Sequence, residues 1–167
     1  MNYYQILKIT GIILLIFSAF LLIPAGVSIY YGENINNFLI SFLKVFFSGV
    51  ITYFPNKKER SQIKIREGFF IVALFWFVLS IFGSIPFMLD KQLNLSLIDA
   101  IFESTSGWTT TGATVISNLD NLSEPILLYR QLLQWLGGIG IVVLVLAILP
   151  ILGVGGMYLY KAETSSP

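Results

Sequence analysis

The chain contains no cysteine and no histidine among its 167 residues. Their absence removes thiol nucleophiles, disulfides, imidazole bases and zinc sites of the usual kind, and with them most routes to an enzyme. Charge is also scarce, because only 11% of the residues are Asp, Glu, Lys or Arg. The net charge of +1 gives no indication of a nucleic-acid partner. We therefore predict neither an enzyme nor a nucleic-acid-binding protein.

Long apolar runs account for most of the chain. Hydrophobic residues make up 56% of it, and the mean hydropathy is +0.81. Because about 20 apolar residues cross a hydrocarbon core of about 30 Å, these runs predict four membrane-spanning helices. The predicted ranges are about 9–31, 37–54, 68–89 and 126–150. The sequence thus predicts an all-α integral membrane protein, in which two N-terminal helices precede a helix–pore helix–filter–helix unit.

Basic residues concentrate in one short loop, which holds Lys57, Lys58, Arg60, Lys64 and Arg66. Short loops rich in lysine and arginine stay in the cytoplasm. This rule predicts a cytoplasmic N-terminus and places the connection between the third and fourth helices on the outer side. Acidic residues then predominate outside, where they form either ordinary solvated loops or a vestibule that concentrates cations. They are Glu33, Asp90, Asp99, Glu103, Asp120 and Glu124.

A short helix is predicted between the third and fourth spans. Ser96 and Asp99 match a capping pattern, and the helix from Leu97 to about Ser106 covers only about half a bilayer at about 1.5 Å per residue. It cannot span. Such a helix enters from the outside and stops at Gly107, with its partly negative carbonyl end near the membrane centre, a favourable place for a dehydrating cation.

The residues after this helix suit a return path lined by carbonyl oxygens. Thr109, Thr110 and Thr111 are β-branched, so we expect extended backbone with hydroxyls as additional oxygens. Gly112 can adopt a positive φ that turns a carbonyl toward a pore, and Ala113 keeps the next position small. Non-helical backbone at membrane depth is tolerated only where protein buries it or where it lines a watery cavity. The segment is therefore either a permeation filter or a threonine-rich loop in a non-conducting membrane protein.

Several residues around the filter allow two interpretations. Arg130 either extends its guanidinium to the membrane interface or forms an ion pair with Glu103 that braces the filter. The glycines 137, 138 and 140 are predicted to pack against the third helix or a neighbouring unit rather than line the pore. Lys44, within the second span, is predicted to face protein or to extend toward the interface.

Longer motifs resemble one known family. They are Asp99-Ala100-Ile101-Phe102-Glu103-Ser104 followed by Thr109-Thr110-Thr111-Gly112-Ala113-Thr114, and then Tyr129-Arg130-Gln131-Leu132-Leu133-Gln134-Trp135 and Ala147-Ile148-Leu149-Pro150-Ile151-Leu152-Gly153. Phe54-Pro55-Asn56-Lys57-Lys58-Glu59 adds an upstream match. In this order and over nearly the whole chain they resemble the TrkH family, the membrane subunits of bacterial Trk potassium-uptake systems.

The resemblance implies that backbone carbonyls of Thr110, Thr111, Gly112 and Ala113 hold the permeating K⁺, with Thr110 and Thr111 as its principal ligands. It implies supporting roles for the residues around them, which are Thr109, Thr114, Glu103 and Arg130. It further implies four helix–pore–helix units around one pore, a homodimer of the full-length form, and a cytosolic nucleotide-binding regulatory subunit of the TrkA type. One such unit is visible here, and Ser166 stands where the family pattern has glycine.

The sequence thus predicts potassium uptake across the bacterial inner membrane by a multi-pass protein surrounded by lipid. The chain is expected to contribute one of four filter segments and to need the remaining pore units. The predicted regions are a two-helix membrane region (1–55), a cytosolic basic loop (56–67), the helix–pore loop–helix unit (68–160) and an apparently truncated cytosolic tail (161–167). The alternatives are a non-conducting remnant or assembly partner, and a membrane enzyme that uses Asp99, Glu103 or Asp120.

Overall fold

A computed structural model describes residues 2–58, 65–119 and 122–151. Within these ranges every regular element is a helix and no strand occurs, which confirms the predicted all-α class. The helices are α1 (Tyr3–Phe20), α2 (Leu22–Tyr31), α3 (Asn36–Tyr53), α4 (Ile65–Gly83), α5 (Ile85–Leu89), α6 (Leu97–Trp108) and α7 (Glu124–Ile151). A 3-10 turn, Phe54–Asn56, follows α3.

Four stretches of the described chain are long and apolar enough to cross a membrane. They are Tyr3–Tyr31, Asn36–Asn56, Glu67–Leu89 and Glu124–Leu146, and at most 33% of any of these windows is buried inside the protein. Side chains such as Ile29, Phe47 and Phe77 are instead exposed on the outer surface of the bundle. A surface this apolar suits lipid rather than water. The chain is therefore a multi-pass membrane protein, as predicted.

Two spans are interrupted where the sequence predicted continuous helices. The first breaks at Leu21, between α1 and α2, and begins at Tyr3 rather than near residue 9. The third breaks at Ser84, between α4 and α5. Pro24 and Pro86 follow these breaks at close range, and proline has no N–H to donate to the preceding turn. The predictions missed the breaks because hydropathy is insensitive to them.

The two N-terminal spans pack closely through glycine. A Cβ on Gly11 of α1 would lie 2.6 Å from the backbone nitrogen of Tyr53 and 2.9 Å from the carbonyl oxygen of Gly49, both on α3. Within lipid, small residues let helix backbones approach, so that van der Waals packing holds them together. Leu14 and Val45 lie buried along this contact.

The short helix α6 lies between α4 and α7, and it contacts both. Its 12 residues correspond to about 18 Å at about 1.5 Å per residue, too short to cross a bilayer. Ser96 caps it as predicted, because the Ser96 hydroxyl oxygen accepts from the Asp99 N–H at 3.2 Å and donates to the Asp99 carboxylate at 2.7 Å. The helix ends at Trp108, two residues beyond the predicted end at Ser106.

Parts of the predictions concern residues outside the described ranges. These are Arg60 and Lys64 of the basic loop, Asp120, and the tail at 161–167. The division of the chain into four regions therefore stays a prediction.

Candidate functional site

The C-terminal end of α6 is closed by a compact hydrogen-bonded turn. The N–H of Thr110 donates to the Gly107 carbonyl at 3.0 Å, and the N–H of Thr111 donates to the Ser106 carbonyl at 3.0 Å. This paired pattern is the Schellman motif, in which the residue after the C-cap adopts a left-handed conformation. That residue is usually glycine, but here it is Thr110, with φ of 56°. The motif ends the helix and turns the chain abruptly away from its axis.

The predicted extended backbone at Thr109 and Thr110 is wrong. Thr109 has φ −83° and ψ 2°, and Thr110 is left-handed. A β-branched residue with positive φ is a genuine outlier, and such strain is found mainly at functional sites. Hydrogen bonding of the helix end overrides the intrinsic preference of threonine. The predicted positive φ of Gly112 is confirmed at 74°.

Three successive backbone carbonyls of the segment have no hydrogen-bond donor. They belong to Thr110, Thr111 and Gly112, and no donor reaches them from any residue that the structure describes. The whole stretch 109–115 is exposed. Because these carbonyls are exposed and unpaired, their oxygens stay available to water or to an ion. These three are among the four oxygens that the sequence predicted as K⁺ ligands.

The threonine hydroxyls bond mainly to each other and to the backbone. Thr109 donates to the Thr105 carbonyl at 2.8 Å and shares a 2.8 Å hydrogen bond with the hydroxyl of Thr111. Thr110 donates to the Thr109 carbonyl at 2.7 Å. A hydroxyl that donates in this way keeps lone pairs for a cation. The bonds hold Thr109 against the end of α6, which suits the supporting role predicted for it.

Ala113 differs from the preceding residues, since its carbonyl oxygen accepts a hydrogen bond from the Ser106 hydroxyl at 2.5 Å. The contact ties the return segment back to α6. Ala113 would have to bind an ion with its second lone pair, so its role as a ligand stays a prediction. Sequence reasoning missed Ser106. The only available signal was a serine in the last turn of a helix, which is too common to identify a partner.

Glu103 is buried, and its carboxylate connects several parts of the site. Its carboxylate accepts from Arg130 Nε at 2.7 Å, from the Thr114 hydroxyl at 2.9 Å and from the Val115 N–H at 3.2 Å. The side chain of Glu103 is 1% exposed and that of Arg130 is 10% exposed. The ion pair is therefore formed, as one of the two interpretations of Arg130 predicted. It links α6, the outer end of the return segment and α7.

Two of the three glycines of α7 lie against α6 or the segment that follows it, rather than against α4. A Cβ on Gly137 would collide with the Trp108 carbonyl oxygen, so this residue packs against α6 itself. Gly138 lies close to the segment after α6, and a Cβ built on Gly138 would lie 3.9 Å from Thr110 Cγ2. Gly140 faces aromatic rings of α4, the third span, which was one of the two packing partners predicted for these glycines. The prediction was wrong for Gly137 because the sequence does not show how far α6 penetrates between the spans.

The acidic residues near the outer end are largely engaged by the protein. The Asp90 carboxylate accepts from the side-chain amide of Asn37 at 3.2 Å and from the N–H of Gln92 at 2.9 Å. Asp99 caps α6, and Glu103 is buried. Glu33 and Asp90 line a polar cavity of about 510 Å³. Asp90, Asp99 and Glu103 therefore have structural partners within the protein, and the vestibule stays one of the two predicted alternatives.

Comparison with known proteins gives consistent matches. Residues 34–167 match the family described as "TrkH: Cation transport protein". The chain is 48% identical, over its whole length, to the Trk system potassium uptake protein TrkH of Vibrio parahaemolyticus and to that of Escherichia coli K12. The Trk system potassium uptake protein TrkG of Escherichia coli is 40% identical over 94% of the chain and 33% of its own length.

The fold agrees with a solved structure. The crystal structure of the potassium transporter TrkH from Vibrio parahaemolyticus matches 98% of the chain with a TM-score of 0.86 and 47% identity. The chain spans 35% of the length of this protein and of both TrkH relatives above. Because sequence and structure agree over nearly the whole chain, it belongs to the TrkH family of cation transport proteins.

Proposed function

We propose that this chain takes part in potassium uptake and contributes one of four segments to a selectivity filter. The observation that carries the proposal is the row of unpaired carbonyls at Thr110, Thr111 and Gly112, exposed after a helix of half-membrane length. Rings of such carbonyls replace the hydration shell of K⁺ in potassium channels. The names of the relatives, which are potassium uptake proteins, support the same ion as cargo.

The end of α6 prepares these oxygens for an ion. Because the Schellman motif already uses the last helical carbonyls of Ser106 and Gly107, the free acceptors lie just beyond the helix. The left-handed turns at Thr110 and Gly112 give successive carbonyls directions that a regular strand would not. Oxygens arranged before the ion arrives need little reorganisation when it dehydrates. We propose Thr110 and Thr111 as the principal ligands, joined by Gly112 and Ala113.

Glu103 and Arg130 are proposed to support the filter without contacting the ion. The Glu103 carboxylate holds Thr114 and Val115 at the outer end of the return segment, and Arg130 neutralises its charge. A neutralised carboxylate at this depth does not compete with the filter for K⁺ as an isolated one would. The pair thus fixes the outer end, while the Schellman motif fixes the inner end.

The remaining features of the family are proposed on the resemblance alone. They are an inner-membrane location with a cytoplasmic N-terminus, three further pore units, a homodimer of the full-length form, and a TrkA-type nucleotide-binding partner in the cytosol. The sequence also allowed a non-conducting remnant or assembly partner, and the names of the relatives, which are potassium uptake proteins, favour transport over this alternative.

Reconstitution tests the proposal and separates the two candidates. The chain would be purified and placed in liposomes alone, or co-expressed with the part of Escherichia coli TrkH that it does not cover. We expect no K⁺-selective flux from the chain alone, because one segment cannot surround an ion, and K⁺ uptake from the completed transporter. Absence of uptake from the completed transporter, beside an active Escherichia coli control, would favour the remnant.

A further inference from the structure

A buried polar contact joins the last turn of α6 to the ends of α4 and α7. Tyr129 of α7 donates its hydroxyl hydrogen to the carbonyl of Gly83, the last residue of α4, at 2.7 Å. The side chains of Ser104 and Trp108, both on α6, reach the same glycine. We call these four residues the Gly83 contact.

Only glycine fits at the centre of this contact. A Cβ on Gly83 would lie 2.5 Å from Ser104 Oγ, 2.9 Å from Trp108 Nε1 and 3.4 Å from the Tyr129 hydroxyl oxygen. All three side chains are buried, with at most 3% of each exposed. A larger residue at Gly83 must therefore displace Ser104, Trp108 or α6 itself.

Two atoms of the Gly83 contact are polar and lack a partner. Ser104 Oγ and Trp108 Nε1 form no hydrogen bond within the described part of the chain. Buried polar groups normally have partners, and leaving one unpaired destabilises the fold. Hydrogen bonding therefore does not explain why these two side chains lie against Gly83. An unfavourable local arrangement of this kind is found where function constrains position.

The opposite side of α6 is fixed more rigidly. Gly137 of α7 lies against the Trp108 carbonyl, and a Cβ on Gly107 would lie 2.9 Å from Leu133 Cβ. The Trp108 ring also packs edge-on to Phe17, with ring centroids 5.4 Å apart. Backbone faces backbone at Gly137, so that side cannot adjust, whereas at Gly83 the contact is made by side chains.

Displacement of Trp108 must reach the filter. Thr109 follows it directly, and the strained left-handed turn at Thr110 comes one residue later. In a carbonyl filter, selectivity depends on cavity size and on the number and orientation of the oxygens. A shift of α6 against α4 therefore changes these quantities without touching an ion ligand.

We propose that the Gly83 contact positions the filter and sets its preference for K⁺ over Na⁺. Gly83 and Tyr129 are the positioning residues, and they act through Trp108 on the carbonyls after it. The inference rests on the proposed function, because it presupposes that the segment after Trp108 is a filter. It adds α4, which carries no ion ligand, to the parts of the chain that determine specificity.

Substitution at Gly83 tests the steric part in the completed transporter described above. Gly83→Ala should lower the preference for K⁺ over Na⁺ by about tenfold, which corresponds to about 1.4 kcal/mol, while the protein still accumulates in the membrane. Adding Ser104→Ala removes the atom 2.5 Å away and should restore part of the preference. Restoration is incomplete because Trp108 Nε1 still lies 2.9 Å from the new methyl group.

Substitution at Tyr129 tests the hydrogen bond separately. Tyr129→Phe keeps the ring contacts with Phe38 and Phe87 but removes the donor to Gly83. We expect a weaker loss of K⁺ preference and a higher KM for K⁺ with little change in maximal rate. The matched control is Tyr30→Phe, the same change at a tyrosine that is 83% exposed, and it should leave both quantities unaltered.

The outcomes separate this inference from the function on which it rests. Lack of K⁺ uptake by the unsubstituted completed transporter would refute the proposed function. Normal uptake combined with unchanged ion preference in Gly83→Ala and Tyr129→Phe would refute only the positioning role. If Gly83→Ala does not accumulate, Tyr129→Phe decides, and an unaltered K⁺ preference there overturns the inference. A fall in maximal rate without a change in ion preference also overturns the inference, because a loss of packing would then be sufficient to explain the effect.

Discussion

Two residues of the filter segment show how backbone conformation, rather than side-chain chemistry, supports the proposed function. Thr110 and Gly112 both have positive φ, at 56° and 74°. Glycine adopts this region freely, whereas threonine is strained there. The strain at Thr110 is offset by the two hydrogen bonds of the Schellman motif. At the residue scale, the unpaired carbonyls therefore depend on the hydrogen bonds that end α6 and fix the backbone conformation of Thr110.

Gly112 provides a prediction at this scale. Nothing lies within 4 Å of a Cβ built there, so Gly112→Ser meets only backbone strain. We expect the completed transporter to lose preference for K⁺ over Na⁺ while its abundance in the membrane stays normal. Comparison of Rb⁺ and Na⁺ uptake would measure this.

The control for Gly112 is Gly32→Ser, which carries similar strain at φ of 70°, also in open space, but in the loop after α2. It should leave ion preference unchanged. Equal effects at the two glycines would show that strain alone, and not the position of the Gly112 carbonyl, is responsible.

At the scale of elements, α6 is held in place in two ways, by polar contacts of Glu103 and by close packing at glycines. Glu103 binds the return segment and Arg130, while Gly137 lets α7 reach the last turn of the helix. In lipid no hydrophobic driving force brings helices together, so close packing and buried polar bonds must do so. The short helix α6 needs both kinds of contact, because it does not cross the membrane and is anchored only through its neighbours.

The ion pair provides a prediction at the scale of elements. Glu103→Gln removes the charge that compensates buried Arg130 and should reduce the free energy of unfolding by about 3–5 kcal/mol. Thermal denaturation in detergent would measure this as a lower Tm. The exposed residue Glu124, at the start of α7, supplies the control, and Glu124→Gln should change Tm little.

A double variant makes the Glu103 test specific. Combining Glu103→Gln with Arg130→Gln removes both charges, so the combined loss should be smaller than the sum of the two single losses. Strictly additive losses would mean that the two side chains do not stabilise each other in the membrane.

At the scale of the whole molecule, the described spans leave most of their surface apolar and exposed, which fits a protein enclosed by lipid. The direction of the filter within the membrane follows from the proposed orientation. Five of the ten basic residues lie at 57–66, and such loops stay in the cytoplasm. The return segment then opens to the outside, as uptake from the outside requires.

Cysteine labelling tests this orientation, because the chain has no cysteine of its own. A cysteine in place of Ser117, which is exposed after the filter, should react with an impermeant thiol reagent added to whole cells. One in place of Ser61, in the basic loop, should react only after the membrane is permeabilised. The reverse pattern would refute both the orientation and the outward-facing filter.

The sequence by itself determined the features that depend on local composition and spacing. Four apolar runs predicted the four spans, the Ser96–Asp99 pattern predicted the start of the short helix, and Gly112 predicted a positive φ. Each depends on hydropathy or on residues a few positions apart, which local physics decides. The motifs around Thr109–Thr114 added the family. The roles of Thr110, Thr111, Gly112 and Ala113 in binding an ion stay predictions.

Only the tertiary structure decided which distant groups meet. It selected the ion pair for Arg130, brought Gly137 against α6 instead of α4, and joined Tyr129 to Gly83 across 46 positions of sequence. It also made Thr110 left-handed, since the hydrogen bonds that end α6 outweigh the extended preference of threonine. The reason is the same throughout: these conformations depend on how deeply the short helix penetrates between α4 and α7, and that depth is set by packing rather than by local propensity.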